Sequence, residues 1–491
     1  MLINKYLNLI INFSYNFIFT PFSFIFHQND SLTQKDCILK FKYYTYKFMI
    51  ETKNALTRGS KKLINAWAFY DWANSVYSLV ISSAIFPIYY AALFAENNQI
   101  NFFGYDIKNT AMISFVTGVA FFVVAFISPL LSGIADFVGN KKRFMQFFVY
   151  MGSLSCIGLY WFELDNLYLG LLFYFLAMIG LWASLVFYNS YLPDVAYPEQ
   201  QDRASARGFS MGYIGSVLLL LFNLAMVMNP DLFGITGTAT EAAMKAMRYS
   251  FVSVGIWWFV FSHVSFYFLP KGNKNSEKVT RDIIWNGFRE LKMVYAQMAG
   301  NYPLKRYLTA FFFFSLAVQT VMLVAAYFGE VEIAWGSDSE KTMGLIVSIL
   351  LIQIVAIFGS ILSARASIRF GNIPTLVVIN IIWVIICAYA FTIETPMQFY
   401  YIAGFVGLVM GGIQTSSRAA YSKFLPETDD TTSYFSFYDV AEKVGIIIGM
   451  FLFGAIDQIT GSMRFSIVFF GIFFVFGAIL LMRVNRKAAI L

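Results

Sequence analysis

Residues 115–143 read FVTGVAFFVVAFISPLLSGIADFVGNKKR, a nearly continuous apolar run that ends in glycines, an aspartate and three cations. An α-helix of about 20 apolar residues crosses the hydrocarbon core of a bilayer, so the run predicts a membrane span. Lys and Arg collect at the cytoplasmic ends of such spans. The stretch therefore predicts a helix that reaches the cytoplasmic side near Asp136, where Gly139 permits a tight turn.

The composition of the whole chain agrees with this first segment. Hydrophobic residues make up 58% of the chain and charged residues only 13%, whereas a soluble domain is about 25% charged. The apolar runs are too long and continuous for the alternating strands of a barrel, so the spans are predicted to be helices. The net charge of +7 does not indicate nucleic-acid binding, because the cations lie in loops between spans.

Twelve spans are predicted, which makes the chain an all-α, multi-pass integral membrane protein of two six-helix halves. The spans cover about residues 64–95, 111–135, 144–162, 167–189, 209–228, 249–268, 307–328, 343–364, 373–392, 397–417, 438–456 and 464–482. The predicted domains are a lead at 1–62, a first half at 63–269, a central loop at 270–306, a second half at 307–482 and a tail at 483–491.

The distribution of Lys and Arg sets the orientation. The cations concentrate in the segment before span one and in every second loop after it, which predicts that both termini are cytoplasmic. Residues 1–48 form no clean span, and we expect translation to start at Met49. In the central loop, Phe288, Leu291 and Val294 have helical spacing. They indicate an amphipathic helix on the membrane surface, and a solvated linker is the alternative.

Two stretches of the first half recur in the second half. FISPLLSGIADFVGN at 126–140 resembles FGSILSARASIRFGN at 358–372. YNSYLPD at 188–194 resembles YSKFLPE at 421–427, at nearly the same separation along the chain. Both pairs occupy equivalent cytoplasmic loops. Such a duplication, with a substrate site near the midplane between the halves, is typical of the major facilitator fold.

Span one carries a carboxylate inside an apolar helix. Asp71, Asn74, Ser75 and Ser78 have helical spacing and predict one polar face. A carboxylate within a span is costly, so it must face a cavity or a partner. We interpret Asp71 as a proton- or amine-binding residue, and a structural ion pair is the alternative. The candidate substrate- and proton-binding residues are Asp71, Asn74, Ser75, Ser78, Asn189, Gln319 and Gln414.

Charged residues at the cytoplasmic ends of the spans form a second group. The stretch GIADFVGNKKR at 133–143 resembles the loop signature of the major facilitator family and is interpreted as a latch; a generic basic loop is the alternative. Asp439 and Lys443 are one helical turn apart and can pair. The candidate latch and gating residues are Gly133, Asp136, Gly139, Lys141, Arg143, Asp194, Arg207, Arg365, Arg418, Glu427, Asp439, Glu442 and Lys443.

Four motifs occur in order at equivalent positions of the predicted spans: AFYDWANSVY (68–77), VFYNSYLPD (186–194), GLVMGGIQTSSRAAYSKFLPE (407–427) and FSFYDVAEKVG (435–445). Together they resemble the autophagy-related vacuolar effluxer-like branch of the major facilitator superfamily, over about residues 60–485. The resemblance implies the two-half transporter fold. From the fungal vacuolar members of the branch, it also implies efflux of amino acids.

The sequence therefore predicts a secondary transporter that works by alternating access, with proton-coupled efflux of a small polar solute such as an amino acid. The rivals are a non-transporting receptor or scaffold on a transporter fold and a lipid-translocating relative. No ATP-binding glycine loop or hydrolase motif occurs, so we expect no enzyme. The three cysteines form no CxxC, and we expect neither metal nor cofactor. We expect a monomer in the inner cell membrane, surrounded by lipid.

Overall fold

The fold is built from twelve long helices within the residues that the computed structural model describes, which are 56–95, 99–102, 104–271 and 283–484. The expectation about residues 1–48 lies outside these ranges. From Thr57 onward the chain forms one compact unit. The helices, here α1–α12, occupy the positions of the predicted spans, since long apolar segments satisfy their backbone polar groups internally.

The first half contains α1 to α6 and several short helical turns. The long helices are α1 (Lys61–Leu93), α2 (Asn109–Val138), α3 (Lys141–Gly158), α4 (Leu167–Ser190), α5 (Pro198–Met228) and α6 (Ala239–Phe268). The short turns are Leu159–Trp161, Leu164–Asn166, Leu192–Val195 and Pro230–Phe233.

The second half follows a helix in the central loop, Ile283–Gly300, which we call the central helix. The long helices are α7 (Tyr302–Glu332), α8 (Asp338–Phe370), α9 (Asn372–Ala390), α10 (Pro396–Phe424), α11 (Thr431–Thr460) and α12 (Met463–Met482).

Eleven of the helices in the described part of the chain are long and apolar enough to cross a membrane. The long helix outside this set is α11, which carries Asp439, Glu442 and Lys443 within its length. The predicted all-α, multi-pass membrane fold is confirmed. The count of twelve spans and the cytoplasmic location of both termini stay predictions.

A small hairpin between α1 and α2 is an element that the sequence analysis did not predict. Strands β1 (Gln99–Phe102) and β2 (Tyr105–Lys108) pair antiparallel, with Gln99 opposite Lys108. Gly104 has a φ of 88° in the connection, a left-handed value that glycine adopts without a steric penalty. The hairpin closes the loop directly before α2 begins.

Helix α1 departs from regular α geometry in its middle. The segment Tyr77–Ala84 is π-helical, and α geometry resumes at Ile85. A π segment holds more residues per turn than an α-helix, so the periodicity of the polar face predicted for span one ends here. Asn74 and Ser75 precede the π segment, whereas Ser78 lies within it.

The halves meet along a defined set of helices. Helix α5 packs against α8 and α10, while α11 packs against α2 and α4. The predicted boundaries of the halves, 63–269 and 307–482, stay predictions.

The central helix makes contacts with protein, and its location on the membrane surface stays a prediction. It packs against α2 and α11, burying Val294 and Met298 in the apolar core. Tyr434 of α11 also donates a hydrogen bond to Gln297, with 2.8 Å between the oxygens.

Close contacts between helices of the first half depend on glycine. Gly152 of α3 faces Gly180 of α4, and a Cβ built on Gly180 would lie 2.5 Å from the Cα of Gly152. The neighbouring atoms belong to the backbone and cannot rotate away. Small residues allow helices in membranes to approach closely and gain dispersion contacts. The α3–α4 contact therefore requires glycine at position 180.

We expect Gly180→Ala to lower the melting temperature of the detergent-solubilised protein, because the added methyl group overpacks the interface at a cost of about 1–3 kcal/mol. Gly118→Ala is the matched control, since a Cβ on Gly118 of α2 has no neighbour within 4 Å. Thermal unfolding followed by size-exclusion chromatography measures both. Equal melting temperatures for the two variants would contradict the α3–α4 packing.

Candidate functional site

A buried guanidinium joins the two halves of the protein. Arg418 of α10 is 3% exposed and Asp71 of α1 is 4% exposed, and the Arg418 Nη2 lies 3.1 Å from the Asp71 Oδ2. The Tyr188 hydroxyl of α4 donates to the same carboxylate oxygen over 2.7 Å. Burial of a charge this deep is tolerated when it is paired and hydrogen-bonded. This arrangement is the structural ion pair that the sequence analysis gave as the alternative for Asp71.

Further hydrogen bonds complete the surroundings of the guanidinium. The Arg418 Nε donates to the Ser205 hydroxyl and its Nη2 donates to the Ser205 carbonyl, both over 3.0 Å. Its Nη1 donates to the Asn189 side chain over 3.3 Å. We call Asp71, Tyr188, Asn189, Ser205 and Arg418 the Arg418 cluster. It brings together three residues that the sequence analysis singled out: Asp71, Asn189 and Arg418.

Aromatic rings enclose the Arg418 cluster. The Arg418 Cζ lies 4.0 Å from the ring centroid of Phe209 and 4.9 Å from that of Trp67. Cation–π contacts of this kind strengthen when water is excluded. A Cβ on Gly208 would overlap the Asp71 carboxylate, so glycine at position 208 allows α5 to approach the ion pair.

A second ion pair between the halves lies on α5 and α10. The Lys423 Nζ is 2.5 Å from the Asp202 Oδ2, and Asp202 is 2% exposed. Asn372, at the start of α9, donates to Asp202 over 2.6 Å and accepts from Lys423 over 2.9 Å. The sequence analysis did not select Asp202 or Lys423.

The last turn of α2 docks on the beginning of α11. Asp136 accepts hydrogen bonds from the backbone N–H groups of Thr432 and Ser433, over 3.3 and 2.6 Å. Helix N-termini bind anions because their first N–H groups lack intrahelical partners and the helix dipole is positive there. Lys141 supports this contact, because its Nζ lies 2.5 Å from the Asp194 carboxylate and 2.8 Å from the Thr431 hydroxyl.

Other predicted latch residues lie apart from these contacts. Arg143, Arg207, Arg365 and Glu427 are exposed; among them, Arg207 donates to the side chain of Asn65. The recorded hydrogen-bond partners of Asp136 are on α11, and Arg365 is not among them.

The two glycines of the predicted latch are structural. Gly139 ends α2 in the left-handed region, with a φ of 65°. Gly133 is buried within α2. The tight turn at Gly139 allows α3 to begin directly after the Asp136 contact.

A third charged group lies between α7 and α11, with α4 beside it. Lys443 is fully buried and its Nζ lies 3.0 Å from Asp439 and 2.8 Å from Glu442. Gln319 of α7 donates to Glu442 over 2.6 Å. The Lys443 Nζ also lies 3.7 Å from the ring centroid of Trp182. We call Gln319, Asp439, Glu442 and Lys443 the Lys443 cluster; the pairing of Asp439 with Lys443 is confirmed.

The remaining predicted polar residues are not members of these charged groups. Gln414 accepts a hydrogen bond from the Tyr213 hydroxyl over 2.6 Å, which joins α10 to α5. Asn74 is buried and donates to the Tyr70 carbonyl over 2.8 Å. Ser75 is partly buried beside Gly212. Ser78, in the π segment, is exposed.

The helical spacing of polar and aromatic residues in the sequence could have predicted the face of α5 that contacts the second half. Asp202, Ser205, Phe209 and Tyr213 are three or four residues apart, so they share one helix face. In the structure each of these side chains contacts α10, directly or through the Arg418 guanidinium.

The chain resembles known proteins over most of its length. Residues 59–490 match the family model described as vacuole effluxer Atg22 like. The uncharacterized MFS-type transporter YxiO of Bacillus subtilis (strain 168) is 30% identical over 432 residues, which cover 87% of this chain and 95% of YxiO. Autophagy-related protein 22 of Saccharomyces cerevisiae (strain ATCC 204508 / S288c) is 22% identical over 420 residues, covering 74% of this chain and 76% of that protein.

Solved structures agree on the architecture. The Major Facilitator Superfamily transporter FucP, in its outward conformation, has a TM-score of 0.63 at 12% identity, covering 86% of this chain and 98% of FucP. The proton:xylose symporter XylE also has a TM-score of 0.63, at 14% identity, covering 87% of this chain and 95% of XylE. At these identities the likeness establishes the fold alone, which is the major facilitator arrangement.

We expect Asp71→Asn and Arg418→Met each to destabilise the protein strongly, because either change leaves the other charge buried without its partner. The expected cost is about 3–5 kcal/mol for each single change. The double variant Asp71→Asn/Arg418→Met should unfold at a higher temperature than either single variant. Arg143→Met, at an exposed arginine of α3, is the control and should leave the melting temperature unchanged. Additive losses in the double variant would contradict a direct pair.

The docking of the central helix on α11 should depend on pH. Burial and the neighbouring Asp430 carboxylate raise the pKa of Glu290 to about 7, and Asp136 adds to the shift. When the central helix is undocked, Glu290 titrates near the ordinary value of about 4.3. The docked state therefore binds the proton more tightly, so docking is favoured at low pH and weakens as pH rises from about 4.3 to about 7.

A spin label at the exposed position 288, introduced as Phe288→Cys with Cys37→Ser, measures this docking, since Cys156 and Cys387 are buried. The label should be less mobile at about pH 4 than at about pH 8, because these values bracket the ordinary and the shifted pKa. Glu290→Gln should keep it immobile at both values. A pH response that persists in Glu290→Gln would contradict the assignment to Glu290.

Proposed function

The chain belongs to the vacuole effluxer Atg22-like family of major facilitator transporters, and from this premise we propose that it moves its substrate by alternating access. It is a multi-pass membrane transporter and not an enzyme, as its family and relatives are transporters. We propose further that it exports a small polar solute such as an amino acid in exchange for protons, as a monomer in the cell membrane.

The contact between the halves is the observation that supports alternating access most directly. The Asp71–Arg418 and Asp202–Lys423 pairs and the Asp136 contact with α11 all join the halves at the ends predicted to be cytoplasmic. Each is polar and can exchange its partner for water when the halves separate. The Coulomb energy of a buried ion pair roughly offsets its desolvation cost. Such contacts therefore stabilise the closed state only by a small net free energy, and the halves can separate again.

The Arg418 cluster would then be the inner gate. While it is closed, the substrate site opens to the opposite side; when it opens, Asp71 and Arg418 must find new partners. A substrate shifts this equilibrium only by its difference in affinity for the two states. A zwitterionic amino acid could offer an ammonium group to Asp71 and a carboxylate to Arg418, and would leave neither charge unpaired.

Three features support the finer points of the proposal. The family model is described as vacuole effluxer Atg22 like, which favours export as the direction of transport. Buried acidic residues in the two charged clusters can carry protons, and a protein of the same fold is a proton:xylose symporter. The resemblance in the four sequence motifs is the support for an amino-acid substrate.

Release of labelled amino acids from proteoliposomes, with and without a pH gradient, tests the proposal. We expect the wild-type chain to release at least one amino acid faster with the gradient. Asp71→Asn should lose about tenfold or more of this rate, since each 1.4 kcal/mol changes a rate tenfold. Glu427→Gln, an exposed carboxylate at the same end, is the control and should retain the rate.

Each negative result of this experiment would contradict a different part of the proposal. Release at equal rates with and without the gradient would contradict proton coupling but not transport. No release of any amino acid by a monodisperse wild-type protein would contradict the substrate class. Unimpaired release by Asp71→Asn would contradict the role of the Arg418 cluster as a gate.

A further inference from the structure

The two buried charged clusters differ in their charge balance. In the Arg418 cluster one carboxylate, Asp71, faces one guanidinium, so the formal charge is zero. In the Lys443 cluster two carboxylates, Asp439 and Glu442, face one ammonium group, so the formal charge is −1. An uncompensated charge within a membrane span is costly and draws a counter-ion or a proton.

The hydrogen bonds of the Lys443 cluster leave one acceptor open. Both oxygens of Glu442 are engaged, one by Gln319 and one by Lys443. The Oδ1 of Asp439 contacts Lys443, whereas its Oδ2 is buried and has no hydrogen-bond partner among the described residues. A buried, unpartnered carboxylate oxygen pays its desolvation cost without compensation.

We infer that Asp439 is the residue that binds and releases the coupling proton, with Lys443 and Glu442 as its charge partners. This inference rests on the proposed proton coupling and assigns it to a different site from Asp71. Binding of one proton to the Asp439 Oδ2 forms an O–H bond, and the charge of the cluster changes from −1 to zero. Lys443 then pairs with Glu442 alone.

The surroundings of Asp439 favour a proton over a metal cation. The charged groups that act on Asp439 are Lys443 and Glu442, both on α11. From α7 it is the neutral Gln319 that faces the cluster, and from α4 the neutral Trp182. On α2, Asp136 is occupied at the first turn of α11. A metal ion needs several oxygen ligands, whereas here one oxygen is open and an ammonium group lies 3.0 Å from the other oxygen of Asp439.

The position of Lys443 connects this proton to the movement of the halves. Its ammonium group lies over Trp182 of α4, across the contact between α4 and α11. When Asp439 is protonated, it no longer attracts Lys443 as an anion, and the ammonium group is free to shift towards Glu442. Proton binding therefore alters a contact between the halves.

Infrared difference spectroscopy of the full chain in lipid nanodiscs tests the inference without any substrate. A protonated carboxylic acid has its own carbonyl-stretch band, which disappears when the acid ionises. We use a Glu290→Gln background, because the raised pKa of Glu290 would add an overlapping band. The background protein should have a band that is lost on raising the pH and is absent from Asp439→Asn. Glu427→Gln is the control and should keep the band.

Charge balance supplies a second, independent arm. Glu442→Gln leaves Asp439 and Lys443 as a neutral pair, so it should also lose the band, whereas Lys443→Met should increase it. A band that survives unchanged in Asp439→Asn would overturn the inference, whatever the transport assay gives. If a substrate is found, Asp439→Asn should keep substrate exchange but lose gradient-driven release; gradient-driven release at the wild-type rate would overturn the inference too.

Discussion

The ion pair between Asp71 and Arg418 is the interaction on which the contact between the halves depends. It lies where α1, α4, α5 and α10 meet, and both partners are almost completely buried. Removing either partner would leave an uncompensated charge in the protein interior, where its desolvation cost is not offset by a Coulomb attraction. The neighbouring features follow from this requirement. Tyr188 and Ser205 satisfy the remaining hydrogen bonds, and Gly208 allows α5 to approach.

The two halves hold each other through contacts that mirror one another. The last turn of α2 brings Asp136 to the first turn of α11, and the first residue of α9, Asn372, contacts Asp202 in the first turns of α5. Both residues lie in the stretches that the internal repeat aligns. The duplication thus gives each half a helix junction that docks on a helix of the other half. All of these contacts are hydrogen bonds or ion pairs, which water can replace when the halves separate.

In the proposed transport cycle, the neutral cluster and the charged cluster would have different roles. A neutral ion pair such as Asp71–Arg418 suits a gate, because it opens and closes without a change in total charge. The Lys443 cluster, with its excess negative charge, suits the coupling step, because its lowest-energy state depends on whether a proton is bound. Helix α4 takes part in both clusters, because Tyr188 contacts Asp71 and Trp182 lies against Lys443, so movement of α4 against the second half affects both.

Structural features that depend on residues close together in the chain could be predicted from the sequence. Apolar length fixed the positions of the helices, and the spacing of Asp439 and Lys443 fixed their pairing, because one helical turn places such residues side by side. The hairpin before α2, the π segment of α1, and the pairing of Asp71 with Arg418 were decided by tertiary structure. A charged residue in a span predicts that it has a partner. The partner lies on another helix, hundreds of positions away in the sequence, so helix packing decides which residue it is.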